Sequence, residues 1–171
     1  MHNKTTLSYS GLVVLAFLFV LINMLSGNLL KGSRIDLTEN RLYTLSQGTL
    51  NIVQTIQEPI TLHYFFSDQA SKDIPQLRTY AKRVNELLQE YAQLSKGKIT
   101  LNVIDPVAYS EQEDQATEFG LQGVPTGATG QSIYFGLAGS NSVGDTETIA
   151  FFQPNKEQFL EYDVSKLIYT L

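Results

Sequence analysis

The sequence predicts an α/β domain that follows a single transmembrane helix, and two observations carry this prediction. The apolar stretch of residues 7–30, from Leu7 to Leu30, contains no Asp, Glu, Lys, Arg or His. A helix of that length rises about 36 Å, which is enough to cross a hydrocarbon core of about 30 Å. Downstream of it, β-branched and aromatic runs alternate with segments of helical periodicity, which is the pattern of βαβ units.

Three interpretations of residues 7–30 compete: a cleaved secretory signal, a buried helix of a soluble core, and an uncleaved membrane anchor. A signal peptide has an apolar core of about 7–15 residues and small residues before its cleavage site. Ser26 and Gly27 are small, but no A-x-A-like site follows the core. The length of the run favours the anchor. We therefore assign residues 1–33 to a transmembrane anchor with its flanks and residues 34–171 to one folded domain.

Composition narrows the classes of partner and cofactor. The net charge of −5 and the pI near 5.0 argue against nucleic acid as a partner and against adhesion to anionic lipid headgroups. The chain has no cysteine, which excludes disulfides, thiol catalysis and cysteine-ligated zinc or iron–sulfur sites. The two histidines, His2 and His63, are too few for a histidine-rich metal site. We expect no cofactor and no metal.

The first predicted elements form a β-α-β unit. A short strand over residues 33–38 comes first, because its apolar residues alternate with polar ones. A helix then starts at a Thr44 or Ser46 cap and stops before Pro59. The run Ile60–Phe66 is β-branched and aromatic, so we expect a central strand that is buried on both faces.

The longest predicted helix opens the middle of the domain. It is expected to start at an Asp73 cap, to carry Pro75 in its first turn and to end near Gly97. A strand over Ile99–Ile104 follows it, and a short acidic helix over residues 111–119 comes next.

The C-terminal part adds a hairpin and a last helix. Residues 132–138 and 146–152 are predicted strands joined by a loop of turn composition, so we expect them to pair antiparallel. Asn155 is predicted to cap the last helix, which runs to Leu171 without a Gly, Asn or Pro stop. We therefore expect the chain to be truncated before a further domain.

The order β-α-β-α-β-α-β-β-α is the thioredoxin-like arrangement, with right-handed parallel crossovers and an antiparallel edge hairpin. Residues 119–126 (FGLQGVPT) resemble the thioredoxin segment that holds a cis-proline, so we expect a cis Val124–Pro125 bond. In thioredoxins that proline faces a Cys-x-x-Cys loop. The corresponding loop here runs from Ser67 to Ala70 (SDQA) and lacks the redox residues.

A candidate binding cleft lies between these two loops. α/β folds place their sites at the carboxyl ends of strands, and helix N-terminal amides can hold an anion or a peptide carboxylate. The sequence contains no phosphate-binding glycine motif, metal-ligand spacing or catalytic triad, so no catalytic residue is assigned. The cleft residues are Ser67, Asp68, Gln69, Val124, Pro125 and Thr126.

The remaining polar residues favour structural roles. His63 lies in mid-strand among apolar residues, so we expect a hydrogen-bonded core histidine rather than a catalytic base. Glu111, Asp114 and Glu118 share one helix face, which is expected to be solvated rather than to bind a cation or a basic partner. Asp105 precedes a proline and is typical of a turn opening.

The segment after the anchor resembles a known family. Residues 34–46 (RIDLTENRLYTLS) are similar to the segment that follows the first transmembrane helix in GldG-like auxiliary proteins of ABC transport systems, including those linked to gliding motility. Residues 103–106 and 123–124 are also similar, and the resemblance extends to the end of the chain. The matching motif residues are Asp36, Leu37, Thr38, Tyr43, Thr44, Leu45 and Ser46.

The resemblance implies a single-pass protein of the bacterial cytoplasmic membrane with a periplasmic or otherwise extracytoplasmic domain, beside ABC permease and ATPase subunits. The positive-inside count does not favour this orientation, because Lys4 precedes the span while Lys31 and Arg34 follow it. Three functions compete. One is a non-enzymatic accessory subunit that binds another protein of the complex. A second is a periplasmic ligand- or peptide-binding domain that uses the cleft. A third is a Ser- or Tyr-based transferase that starts from Ser67.

Overall fold

The computed structural model describes residues 11–21, 45–126 and 131–171. The chain divides into two units, Met1–Thr44 and Leu45–Leu171. In the first unit, the described residues form an α-helix, α1, whose apolar side chains are exposed.

Only part of the predicted anchor over residues 7–30 falls within the described chain. Within the described residues, no helix combines the length and the apolar character needed to cross a membrane. The predicted strand at residues 33–38 and the alternative cap at Thr44 lie outside the described residues. The anchor and this first strand therefore stay predictions.

The second unit is a mixed α/β domain. Its strands are β1 (Ile60–Phe66), β2 (Ile99–Ile104), β3 (Val124–Pro125), β4 (Ser132–Ile133), β5 (Phe135–Asn141) and β6 (Thr146–Ile149). Four of them form one mixed sheet in the order β2-β1-β5-β6, and β3 pairs with β4 in a separate sheet. β1 is parallel to β2 and antiparallel to β5, and β6 is antiparallel to β5.

Helices cover both faces of the four-stranded sheet. They are α2 (Gln47–Thr55), α3 (Pro75–Leu94), α4 (Glu111–Glu118) and α5 (Leu160–Thr170), with a 3-10 helix, Pro154–Phe159, directly before α5. Successive side chains of a strand point to opposite faces. Leu62 and Tyr64 of β1 join the larger core with residues of α2, α3 and α5. Phe65 joins a smaller core on the other face with Ala116 of α4.

Several predictions of secondary structure are confirmed. β1 has the predicted bounds and lies in the middle of the sheet, between β2 and β5. Ser46 caps α2, because the backbone N–H of Thr49 donates to its side-chain oxygen at 3.3 Å. β5 and β6 form the predicted antiparallel hairpin. These features follow from local sequence patterns.

Two predicted helix caps are wrong. Asp73 does not cap α3, which follows Ile74 and has no side-chain cap. Pro75 has no N–H and its φ suits the first position of a helix. The helix therefore begins at Pro75, and Ile74 rather than Asp73 occupies the N-cap position. Asn155 does not cap the last helix either, because it lies inside the 3-10 helix that precedes α5.

The region between α4 and the hairpin also differs from the prediction. The Val124–Pro125 bond is trans, since the described residues contain no cis peptide bond. Both residues lie in the short strand β3. Proline cannot donate a backbone hydrogen bond to a neighbouring strand, so it is tolerated in edge strands and not in central ones. The predicted strand over residues 132–138 is interrupted at Tyr134, so its first part pairs with β3 and its remainder with β1. β6 ends at Ile149, earlier than predicted.

Candidate functional site

An open groove of about 570 Å³ lies between α3 and the carboxyl ends of β1 and β2. This volume lies within the range of about 300–1,000 Å³ that is typical of ligand sites. Phe66 and Val103 are among the apolar lining residues, while α3 contributes Arg78, Lys82 and Asn85. The groove therefore lies beside the loops that follow the two parallel strands, which is where α/β folds bind their ligands.

Asp68 organises the charged end of this groove. Its carboxylate pairs with Arg78 at 2.9 Å, and a second guanidinium nitrogen donates to the Asp68 carbonyl oxygen at 2.9 Å. The backbone N–H of Asp68 donates to the Asp105 carboxylate at 2.9 Å. This hydrogen bond joins the loops after β1 and β2 and holds both carboxylates at the groove.

Ser67 is a buried connector rather than a groove residue. Its side chain is fully buried. The hydroxyl accepts a hydrogen bond from the Tyr134 N–H at 3.0 Å and lies 3.3 Å from the Pro106 carbonyl oxygen, to which it donates. The Ser67 N–H donates to the Tyr134 carbonyl oxygen at 3.0 Å. This serine fastens the end of β1 to the segment between β4 and β5, and its oxygen is not open to a substrate.

The other predicted cleft residues divide between two places. Gln69 lines a second cavity of about 140 Å³ together with Gln131 and Ser132. Val124 and Pro125 have exposed side chains and line neither this cavity nor the groove. The N–H and the hydroxyl of Thr126 both donate to the Gln131 carbonyl oxygen at 2.8 Å. The two loops are linked through β4 rather than across one common cleft.

His63 corrects one expectation. Its Nδ1 is buried and has no hydrogen-bond partner among the described residues, so it is not the hydrogen-bonded histidine that the sequence predicts. The ring stacks on Phe119 with the centroids 5.0 Å apart. Burial lowers the pKa of His63 below its usual value of 6.5, because desolvation penalises the charged imidazolium. This environment favours the neutral ring.

The acidic side chains of α4 are either exposed to solvent or hydrogen-bonded at the start of the helix. Glu111, Asp114 and Glu118 are exposed. Ser110 caps the helix by accepting the Glu113 N–H at 3.3 Å, and the Glu113 carboxylate accepts the Tyr109 N–H at 2.6 Å. Within residues 11–21, 45–126 and 131–171, no group of three His, Cys, Asp or Glu residues is placed to hold a metal ion.

Two motif residues, Leu45 and Ser46, lie within the described chain, and both are structural. Leu45 is 5% exposed and belongs to the larger core, while Ser46 caps α2. The Ser46 N–H also donates to the Glu161 carboxylate at 2.7 Å. Asp36, Leu37, Thr38, Tyr43 and Thr44 lie outside the described residues.

Sequence reasoning missed the α3 wall of the groove. Arg78, Lys82 and Asn85 follow one another at intervals of four and three residues, so they share a stripe of the helix beside the apolar one. That spacing was available as a signal. The approach of Asp105 to the loop after β1 was not, because it depends on the pairing of β1 with β2.

One comparison with known proteins gives a match. A family model described as a domain of unknown function, DUF7088, matches residues 39–140, which is more than half of the chain. The matched range includes β1, β2 and the groove between β2 and α3. No curated protein and no solved structure matches the chain.

Proposed function

The chain belongs to the DUF7088 family, and we propose from the sequence of residues 7–30 and 34–46 that it is a non-enzymatic, membrane-anchored auxiliary component of an ABC transport system. It acts through contacts with other proteins on the extracytoplasmic side of the bacterial cytoplasmic membrane. The resemblance of residues 34–46 to GldG-like proteins supports this assignment and names permease and ATPase subunits as partners. The apolar character of residues 7–30 supports the anchor.

The observation that supports a binding role over catalysis is the burial of the Ser67 hydroxyl. A serine nucleophile needs an accessible oxygen and a base within hydrogen-bond reach. The Ser67 hydroxyl is fully buried and is engaged by Tyr134 and Pro106. The groove next to it is open and lined by charged and apolar side chains, which suits recognition of another molecule better than group transfer.

The domain itself is proposed to be a variant of the thioredoxin-like fold. The strand order β2-β1-β5-β6, with one parallel pair and two antiparallel pairs, supports this. The trans Val124–Pro125 bond and the additional β3–β4 pair are departures from the thioredoxin pattern. A scaffold without cysteine can still present the loops after β1 and β2 to a partner.

Affinity purification of the full chain from its native membranes tests the proposal. We expect ABC permease and ATPase subunits to be recovered with it in stoichiometric amounts. Recovery of the chain without any transporter subunit, under detergent conditions that preserve other ABC complexes, would contradict the proposed function. An unrelated single-pass protein carrying the same tag provides the background control.

Sidedness is tested separately with a single introduced cysteine. The native chain has none, and Val143 is 74% exposed between β5 and β6. Val143→Cys is expected to react with a membrane-impermeant maleimide in intact cells. Labelling that occurs only after the cells are lysed would place the domain in the cytoplasm and contradict the extracytoplasmic location.

A periplasmic ligand- or peptide-binding domain is the second candidate. The cavity of about 140 Å³ beside Gln69 and Ala70 favours it, because that loop belongs to the predicted cleft. A screen of amino acids and dipeptides by thermal shift of the full chain tests this function. A concentration-dependent rise in melting temperature that is lost in Gln69→Ala supports it, and the absence of any shift counts against it.

A further inference from the structure

One carboxylate in the groove between α3 and the carboxyl ends of β1 and β2 has no ion-pair partner among the described residues. The Arg78 guanidinium makes two described contacts, and both are to Asp68: one to the carboxylate and one to the carbonyl oxygen. Lys82 is paired with Glu86 at 3.9 Å. No lysine or arginine in the described part of the chain forms an ion pair with Asp105. Asp105 is therefore the charge that the groove leaves without a counter-ion.

Asp105 is held in position for recognition. Its carboxylate accepts the Asp68 N–H at 2.9 Å, which fixes one oxygen of the carboxylate. The second carboxylate oxygen has no partner among the described residues. The side chain is half-buried at the lining of the groove, so a pairing cation would be partly shielded from water and would interact more strongly than on an open surface.

Apolar side chains lie beside this carboxylate. Val103 is 58% exposed in β2 and lines the groove together with the partly exposed Phe66. Lysine and arginine side chains bury their aliphatic stems along such surfaces while their charged ends reach a polar partner. A carboxylate next to an apolar strip therefore matches the two parts of a long basic side chain.

We propose that this groove docks a segment of a partner protein that presents a lysine or arginine side chain. The cationic end pairs with Asp105, and the aliphatic stem lies against Val103 and Phe66. The inference rests on the proposed function in taking a protein as the occupant, and it adds the surface and the charge of the partner. Arg78 is a positioning residue here, because it acts on Asp68 rather than on the partner.

The test uses the full chain and three blocked peptides, acetyl-TVTKVT-amide and its analogues with norleucine or glutamate in place of lysine. Isothermal titration calorimetry is expected to show the lysine peptide binding about tenfold more tightly than the norleucine peptide, as one charge-assisted contact would give. The glutamate peptide is expected to bind most weakly. Raising the salt concentration from about 0.05 to about 0.5 M should reduce the lysine preference.

Asp105→Asn tests whether the charge of Asp105 is needed, since the amide oxygen of the new side chain can still accept a hydrogen bond from the Asp68 N–H. This variant is expected to bind the lysine and norleucine peptides equally. The matched control is Asp114→Asn, which removes the same charge from an exposed position on α4 and should keep the preference. Lys82→Gln removes a cation from the groove wall and should not weaken binding of the lysine peptide.

Three outcomes would overturn the inference: equal binding of the lysine and norleucine peptides to the native chain, tighter binding of the glutamate peptide, or no binding of any peptide at about 1 mM. The peptide comparison on the native chain does not depend on the folding of a variant. A negative result together with recovery of transporter subunits would refute this groove and leave the proposed function standing. Lysine-specific binding without recovery of transporter subunits would support this groove and contradict the proposed function.

Discussion

The carboxylate of Glu161 accepts a hydrogen bond from the backbone N–H of Ser46 at 2.7 Å, between residues 115 positions apart. The same carboxylate oxygen accepts the hydroxyl of Thr49 at 2.6 Å. Ser165 lies 3.0 Å from that hydroxyl and 2.7 Å from the hydroxyl of Tyr91. This network joins the start of α2 to α5 and α3, so the residues at the beginning of the folded unit are fixed by residues near its end.

Glu161→Ala is expected to destabilise the domain by about 1–3 kcal/mol, because it leaves the Thr49 hydroxyl and the Ser46 N–H without their acceptor. Thr49 is 4% exposed, so water replaces the lost contact poorly. The free energy of unfolding in urea provides the measurement. Glu147→Ala removes an exposed carboxylate from β6 and should change stability little. Equal effects of the two substitutions would contradict a specific role of Glu161.

Ser67→Ala is expected to cost about 1–3 kcal/mol of stability, since the buried Tyr134 N–H loses its acceptor. Urea unfolding of this variant is compared with that of Ser142→Ala, which removes an exposed hydroxyl. The groove of the native chain does not use the Ser67 oxygen, so co-purification of transporter subunits should persist. If Ser67→Ala is fully stable but loses an enzymatic activity of the complex, the transferase hypothesis would regain support.

The lowered pKa of His63 predicts that the domain loses stability on mild acidification. Its pKa in the folded state lies below the usual 6.5, so in this range the unfolded chain binds more protons than the folded chain. The stability present above pH 6.5 is expected to fall as the pH is lowered from 6.5 towards the folded-state pKa, and this contribution then levels off. Urea midpoints measured at about pH 7.5 and about pH 5.5 should differ less in His63→Phe than in the native chain.

His2→Gln is the matched control for this pH dependence, because it removes the other histidine of the chain. It should keep the native difference between the two midpoints. The explanation fails if His63→Phe folds normally, as judged by circular dichroism, and still shows the full difference.

Two glycines of β5 are expected to differ in their tolerance of alanine. A Cβ atom at Gly136 would lie 2.6 Å from the Ile149 carbonyl oxygen, which is backbone. At Gly139 it would meet the side-chain ends of Leu171 and Leu167 at 2.6 and 2.7 Å, and such ends can move. Overpacking costs about 1–3 kcal/mol, so Gly136→Ala should lie at the upper end and Gly139→Ala at the lower. Thermal or urea unfolding measures both, and the reverse order would contradict the argument.

Much of the fold was predictable because it depends on short-range patterns. The β-branched and aromatic run of β1 predicted a central strand with the observed bounds. The apolar period of α3 and the cap at Ser46 were likewise readable from residues within a few turns. The predicted cleft was only partly right in its location, since Asp68 lines the groove while Val124 and Pro125 lie away from it.

Three features could be predicted from composition or local periodicity: the alternation of strands and helices, the absence of thiol chemistry and the apolar run at residues 7–30. Three other features become visible in the folded domain: Ser67 is a buried connector, His63 Nδ1 lacks a partner among the described residues, and Asp105 lies beside Asp68. These relations arise when β1 pairs with β2 and β5 and brings distant residues into contact. Burial and hydrogen-bond partners are properties of that pairing, so no local pattern contains them.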